Sequence, residues 1–173
     1  MRIAYCCADP GIPVFGHKGG SRHVQEILRA LRALGHGVTL FAARLGGAPP
    51  ADLTDLPVIP LPEIPRGSPA ERERAALDAN PRIRDSMLAH GPFDLVYERY
   101  ALWSWAGMAS ARALGVPGVL EVNAPLIEEQ ARYRVLCDRE TALAVTRRTL
   151  DEASLLVAVS EGVRDWLAGF AET

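Results

Sequence analysis

The stretch "FGHKGGSRHVQEIL", residues 15 to 28, holds the only lysine of the chain, Lys18, followed by Gly19 and Gly20. Lysine and arginine together number 19, so every other basic residue is an arginine. Glycines lack a Cβ, so their backbone amides can come close to an anion. If a helix begins here, its N-terminus adds roughly half a positive charge. Lys18 would contribute a compact charge suited to phosphate. Phosphate binding is therefore one chemistry this stretch could serve. A tight turn with no ligand is the other reading.

Known phosphate signatures narrow the choice. A P-loop places Ser or Thr after its lysine, and here Gly19 follows Lys18. The dinucleotide fingerprint wants tightly spaced glycines and an acid after the second strand. Here the glycines are spread over a long loop, and "TLFAAR" ends on Arg44. A nucleotide-binding oxidoreductase is weakly supported. No G-x-S-x-G elbow is present, which argues against a serine hydrolase. Cys6, Cys7 and Cys137 form neither a disulfide framework nor a zinc spacing. His17, His23, His36 and His90 form no metal pattern, so no metal is expected.

These residues need a scaffold, and the sequence describes one. At 173 residues the chain can bury the core of one domain, residues 1–173. "RIAYCC" reads as a buried strand, and Cys6 and Cys7 would pack at its end. After the glycine loop, Val24, Ile27, Leu28, Leu31 and Leu34 make an apolar helical stripe, with Ser21 placed to cap it and Gly35 to close it. "GVTLFAA" is a second strand. Residues 45–69 carry seven of the 13 prolines, so "PVIPLP" is at most a short edge strand. A helix with a break at Pro81 follows, then strand "FDLVYER", helix "LWSWAGMASARALG" and strand "GVLEVN". Residues 126–152 read as one long helix, "SLLVAVS" as another buried strand, and a last helix carries Val163, Trp166, Leu167 and Phe170, capped by Ser160. This alternation predicts an α/β fold, a Rossmann-like doubly wound parallel sheet of about six strands. In such sheets ligands bind at the carboxyl ends of the strands, where the strand order reverses.

Bulk properties exclude other classes. A net charge of −2 suggests no nucleic-acid partner. No apolar run approaches the roughly 20 residues of a transmembrane segment. "MRIAYCCADPG" is too short in its apolar part for a signal peptide, so the cytoplasm is the expected location.

The first 43 residues, with "DLVYERYALWSWAG", "ALGVPGVLEVNAPL" and "ASLLVAVSEGVRDWL", resemble the start of retaining glycosyltransferases of the GT-B fold, the large group 1 or family 4. The resemblance runs over nearly the whole chain but covers only the amino-terminal half of such an enzyme. It implies a single GT-B half-domain on the acceptor side, with the carboxy-terminal donor domain absent and no turnover by this half alone. The implied partners are a nucleotide-sugar donor, as co-substrate rather than cofactor, and a sugar or small-molecule acceptor. Peripheral contact with the inner membrane face is open. Two E-x7-E spacings, Glu63 with Glu71 and Glu121 with Glu129, match a motif of the donor domain and are read as chance among twelve glutamates.

The resemblance also assigns residues. Gly19 and Gly20, with Lys18, would meet the donor diphosphate. Asn123 stands near where many members place a histidine that touches the donor sugar, and it can neither give nor take a proton as an acid or base does. Glu121 shares its strand face, and the two are the catalytic candidates. Asn123 as a simple loop residue before Pro125 stays open. Arg99, Arg132 and Arg134 are the acceptor-binding candidates; the alternatives are an Arg99 ion pair with Glu98 or Glu121, and solvated arginines at 132 and 134. Trp103 and Trp105 suit core packing better than sugar stacking. A non-catalytic carbohydrate- or partner-binding module of the same fold is the competing function.

Overall fold

A computed structural model describes residues 1–171. In chain order the elements are β1 (Arg2–Cys7), α1 (Gly19–Ala33), β2 (Gly37–Ala42), β3 (Val58–Pro60), α2 (Pro69–Ala89), β4 (Leu95–Arg99), α3 (Ala106–Leu114), β5 (Gly118–Val122), α4 (Leu126–Tyr133), α5 (Arg139–Glu152), β6 (Leu155–Ala158) and α6 (Glu161–Ala171). The strands form one six-stranded sheet in the order β3-β2-β1-β4-β5-β6. Every pairing is parallel. The order reverses between β1 and β4, so the switch point lies where Cys7 pairs with Arg99.

Alternation along each strand divides the core in two. Ile3, Tyr5 and Cys7 pack with Val24 and Leu28 of α1 and with Val38 and Leu40. Ala4, Cys6, Val96, Leu120 and Val122 pack on the other face with Met87, Met108 and Val163 from α2, α3 and α6. The expected architecture and strand count are those observed. Glycines end two helices in the left-handed conformation: Gly35 at φ +79° and Gly115 at φ +68°. After α1, Gly35 N–H donates to Arg32 O at 2.9 Å and His36 N–H to Leu31 O at 3.2 Å, a Schellman closure. Ser160 Oγ accepts from Val163 N at 3.3 Å and caps α6 as expected.

Five local expectations are corrected. Lys18, not Ser21, is the N-cap of α1; Ser21 lies inside the helix, buried, with its hydroxyl unpartnered. The stripe on α1 stops short of Leu34, which is the C-cap and 71% exposed. α2 runs unbroken through Pro81. Proline has no N–H to give the carbonyl four residues back, and the Asn80 side chain substitutes: its Nδ2 donates to Leu77 O at 3.0 Å, with Ala76 O at 3.3 Å and Trp103 O at 2.8 Å. Residues 126–152 are two helices, α4 and α5, because the chain turns extended at Arg134 and Asp138 opens a new helix by accepting from Thr141 N at 2.9 Å. Glu73 of α2 takes the amides of Cys137 and Asp138 at the break, at 3.0 and 3.1 Å. Finally, β6 is not buried on both faces. It pairs only with β5, and Leu155 is 56% exposed.

Candidate functional site

The first two residues of α1 are Gly19 and Gly20, and the helix starts beside the switch point. No side chain caps this start. The first four N–H groups of any helix have no intrahelical acceptor. Neither glycine has a positive φ, so their use here is space rather than left-handed backbone. A Cβ on Gly19 would meet nothing within 4 Å; one on Gly20 would stand 2.7 Å from Ile12 Cδ1 and 3.8 Å from Arg99 Nη2. Arg99 thus reaches from the end of β4 to the first turn of α1. The loop before the helix is pinned from below: the buried Gln25 amide donates to Val14 O at 2.7 Å and Gly16 O at 3.0 Å. Val14 and Phe15 N–H bond to Arg44 O and Leu45 O.

Glu121 lies at the centre of the cluster. It is 1% exposed, on β5, on the sheet face that α1 also covers. Its Oε2 accepts from Tyr97 Oη–H at 2.5 Å. Its Oε1 accepts from Asn123 Nδ2 at 2.5 Å and lies 2.6 Å from His23 Nε2. Arg99 Nη1 is 3.6 Å from the same oxygen. Alternation puts Tyr97 and Arg99 on one face of β4 and Glu121 on the matching face of β5, with Arg99 opposite Glu121 in register and Asn123 just past the end of β5. His23 comes in from the second turn of α1. Burial, then the hydrogen bond to Glu121, holds the Tyr97 phenol well above its usual range. Tyr5 stacks on Tyr97 with ring centroids 5.3 Å apart, and its hydroxyl is buried without a partner.

The structure therefore brings together Gly20 of α1, Arg99 of β4, and Glu121 with Asn123 at the end of β5, from three separate stretches. Glu121 is the partner Arg99 takes. Glu98, one residue earlier, faces the opposite core, fully buried against α3. Lys18 and Gly19 are exposed at the rim. Arg132 and Arg134 are exposed at the end of α4, Arg132 over the Tyr133 ring at 5.3 Å, and among the described residues neither bonds to this cluster. Trp103 packs against Leu102 and Ile127, and Trp105 carries the Arg148 guanidinium 3.7 Å above its ring. Sequence reasoning missed His23, Tyr97 and Gln25. A faint signal existed for His23, which stands three residues after Gly20 and so on the same helix side.

A family model, Glycosyltransferase Family 4, matches residues 17–171. The chain belongs to glycosyltransferase family 4. The match spans nearly every element described, including the α1 start and the Glu121 cluster. Among solved structures, this family 4 domain is similar to sucrose-phosphate synthase from Thermosynechococcus elongatus, at 20% identity and TM-score 0.61, over 98% of this chain and 45% of that one. It is also similar to SsfS6, a Streptomyces sp. SF2575 glycosyltransferase, at 21% identity and TM-score 0.50, over 92% of this chain and 50% of that one. At such identities the likeness shows the shared fold, that of a GT-B half-domain. The chain spans about half the length of these two structures. No curated protein sequence matches it. Among the described residues, no helix is long and apolar enough to cross a membrane.

Proposed function

We propose that the family 4 domain is the acceptor-side half of a retaining glycosyltransferase that moves a hexosyl group from a nucleotide sugar to an acceptor. One observation carries this reading: an uncapped helix start with two glycines opens at the switch point of the sheet, with the Arg99 guanidinium beside it. Bare amides and a helix dipole suit a diphosphate, and the guanidinium beside them suits an anionic group of the acceptor. In this reading Gly19 and Gly20 meet the donor diphosphate, Lys18 adds a solvated charge, Asn123 meets the donor sugar, and Arg99 faces the acceptor side. The protein's contribution is positioning and charge stabilisation of the departing diphosphate. A second domain, across a cleft, holds the rest of the donor.

The test has two arms. The chain alone, incubated with a panel of nucleotide sugars and acceptors, is expected to show no turnover. In a two-domain transferase containing this chain, Gly20→Val is expected to lower kcat/KM at least ~100-fold, about 2.7 kcal/mol of transition-state stabilisation. Lys18→Ala is expected to cost about tenfold, because its charge is screened by solvent. A folded Gly20→Val enzyme with unchanged kinetics would reduce the glycine pair to a turn.

A further inference from the structure

We propose that His23 is a sugar-binding residue of this site. Its Nδ1 accepts a hydrogen bond from a hydroxyl of the hexose carried by the donor, and Glu121 is the positioning residue that sets the imidazole tautomer. The inference rests on the transferase reading above.

Hydrogen accounting at Glu121 carries the argument. A carboxylate only accepts. Its two oxygens face Tyr97 Oη at 2.5 Å, Asn123 Nδ2 at 2.5 Å and His23 Nε2 at 2.6 Å, with Arg99 Nη1 at 3.6 Å. Asn123 Nδ2 also lies 3.5 Å from His23 Nε2, but both nitrogens are far closer to Glu121 Oε1, so each gives a hydrogen to the carboxylate and the imidazole nitrogen must carry one. A neutral imidazole with hydrogen on Nε2 has a lone pair on Nδ1. Nδ1 has no partner among the described residues, and the His23 side chain is 38% exposed where that of Glu121 is 2% exposed. The same carboxylate turns Asn123. Its Nδ2 is used on Glu121, and its Oδ1 is buried with no partner.

Two atoms of the cluster, Nδ1 on the half-exposed His23 ring and the buried Asn123 Oδ1, are thus acceptors without a partner among the described residues. Phosphoryl oxygens are acceptors too and cannot satisfy them. Hydroxyl groups can. Position supports a hexose in particular. His23 stands four residues, just over one helical turn and about 6 Å along the axis, beyond Gly19. Helical side chains lean back toward the N-terminus, and the missing Cβ atoms of Gly19 and Gly20 clear that surface. A sugar attached to a diphosphate held at the start of α1 therefore falls beside the imidazole.

Long-range proton–nitrogen NMR on the labelled chain at pH 8 reads the tautomer directly: Nε2 protonated and Nδ1 bare is expected. In the Glu121→Gln variant, whose amide can either accept or donate, a mixture of tautomers is expected. The chain is then titrated with the glucose conjugates of UDP, GDP, ADP and dTDP, and separately with inorganic pyrophosphate. At least one nucleotide sugar should shift His23 Nδ1 while pyrophosphate leaves it in place. His23→Ala should weaken that nucleotide sugar about tenfold and leave pyrophosphate affinity unchanged. A protonated Nδ1 in the wild-type chain, or a His23→Ala variant that binds the nucleotide sugar normally, overturns the proposal. Pyrophosphate binding with no nucleotide-sugar response at His23 overturns it too, while leaving the diphosphate reading intact. Failure of every probe to bind removes both.

Discussion

The carboxylate of Glu98 occupies the space that a side chain on Gly107 would need: a Cβ there would lie 2.4 Å from Glu98 Oε2. Glu98 comes from β4 and Gly107 from the first turn of α3. The closeness has a purpose. Oε2 accepts from Met108 N at 3.0 Å and Oε1 from Ser104 Oγ at 2.8 Å, so a strand carboxylate satisfies the start of a buried helix. Gly107→Ala is expected to destabilise the fold by about 2–3 kcal/mol, since both the carboxylate and α3 are held by packing. Urea unfolding measures it, and a variant within about 0.5 kcal/mol of wild type would contradict this packing.

The same carboxylate predicts a pH dependence. Burial pushes Glu98 up to about 7 from an ordinary 4.5. The folded chain holds this proton more tightly than the unfolded one. Its contribution is therefore fully present below 4.5, is lost as pH rises to about 7, and is level above. The loss is on the order of 3 kcal/mol. In Glu98→Gln the amide can accept from Met108 N and donate to Ser104 Oγ, so the fold is expected to persist with that slope removed. Urea midpoints compared at pH 5 and pH 8 decide: equal slopes in wild type and variant would assign the pH dependence elsewhere.

Asn80 is fully buried and makes five contacts, to Ala76 O, Leu77 O, Trp103 O, Trp105 N and Ala106 N. It both repairs α2 at Pro81 and caps α3. Asn80→Ala strands these backbone groups and is expected to cost about 3 kcal/mol or more. Pairing it with Pro81→Ala, which restores a donor for Leu77 O, should recover part of the loss. Strict additivity of the two changes would show that the side chain does not stand in for the proline.

Gly19 separates stability from function. A Cβ there meets nothing, and the backbone is helical without positive φ. Gly19→Ala is expected to raise stability by about 0.5 kcal/mol, through a less free unfolded chain. It is also expected to weaken pyrophosphate binding about tenfold by standing between anion and amide. Thermal unfolding and calorimetric titration of the same sample give the two numbers. Unchanged affinity in the more stable variant would place the anion away from Gly19.

The order of elements, the parallel sheet and the glycine-led helix were legible in the residues. Apolar runs such as "RIAYCC" and the stripe Val24, Leu28, Leu31 report burial with the period of their own element, and that is local information. Strand parity likewise places Glu121 and Asn123 on one face. Other features depended on contacts between distant segments. Pro81 reads as a helix breaker until Asn80 is seen to supply the missing donor, and its orientation is set by α3. "SLLVAVS" reads as buried because composition does not say which strand ends up at the edge. His23 reads as one histidine among four until α1 is laid on the sheet and its ring meets Glu121, 98 residues later. Which polar groups share a buried carboxylate is decided by packing, since it depends on how elements of different period are set against one another in space.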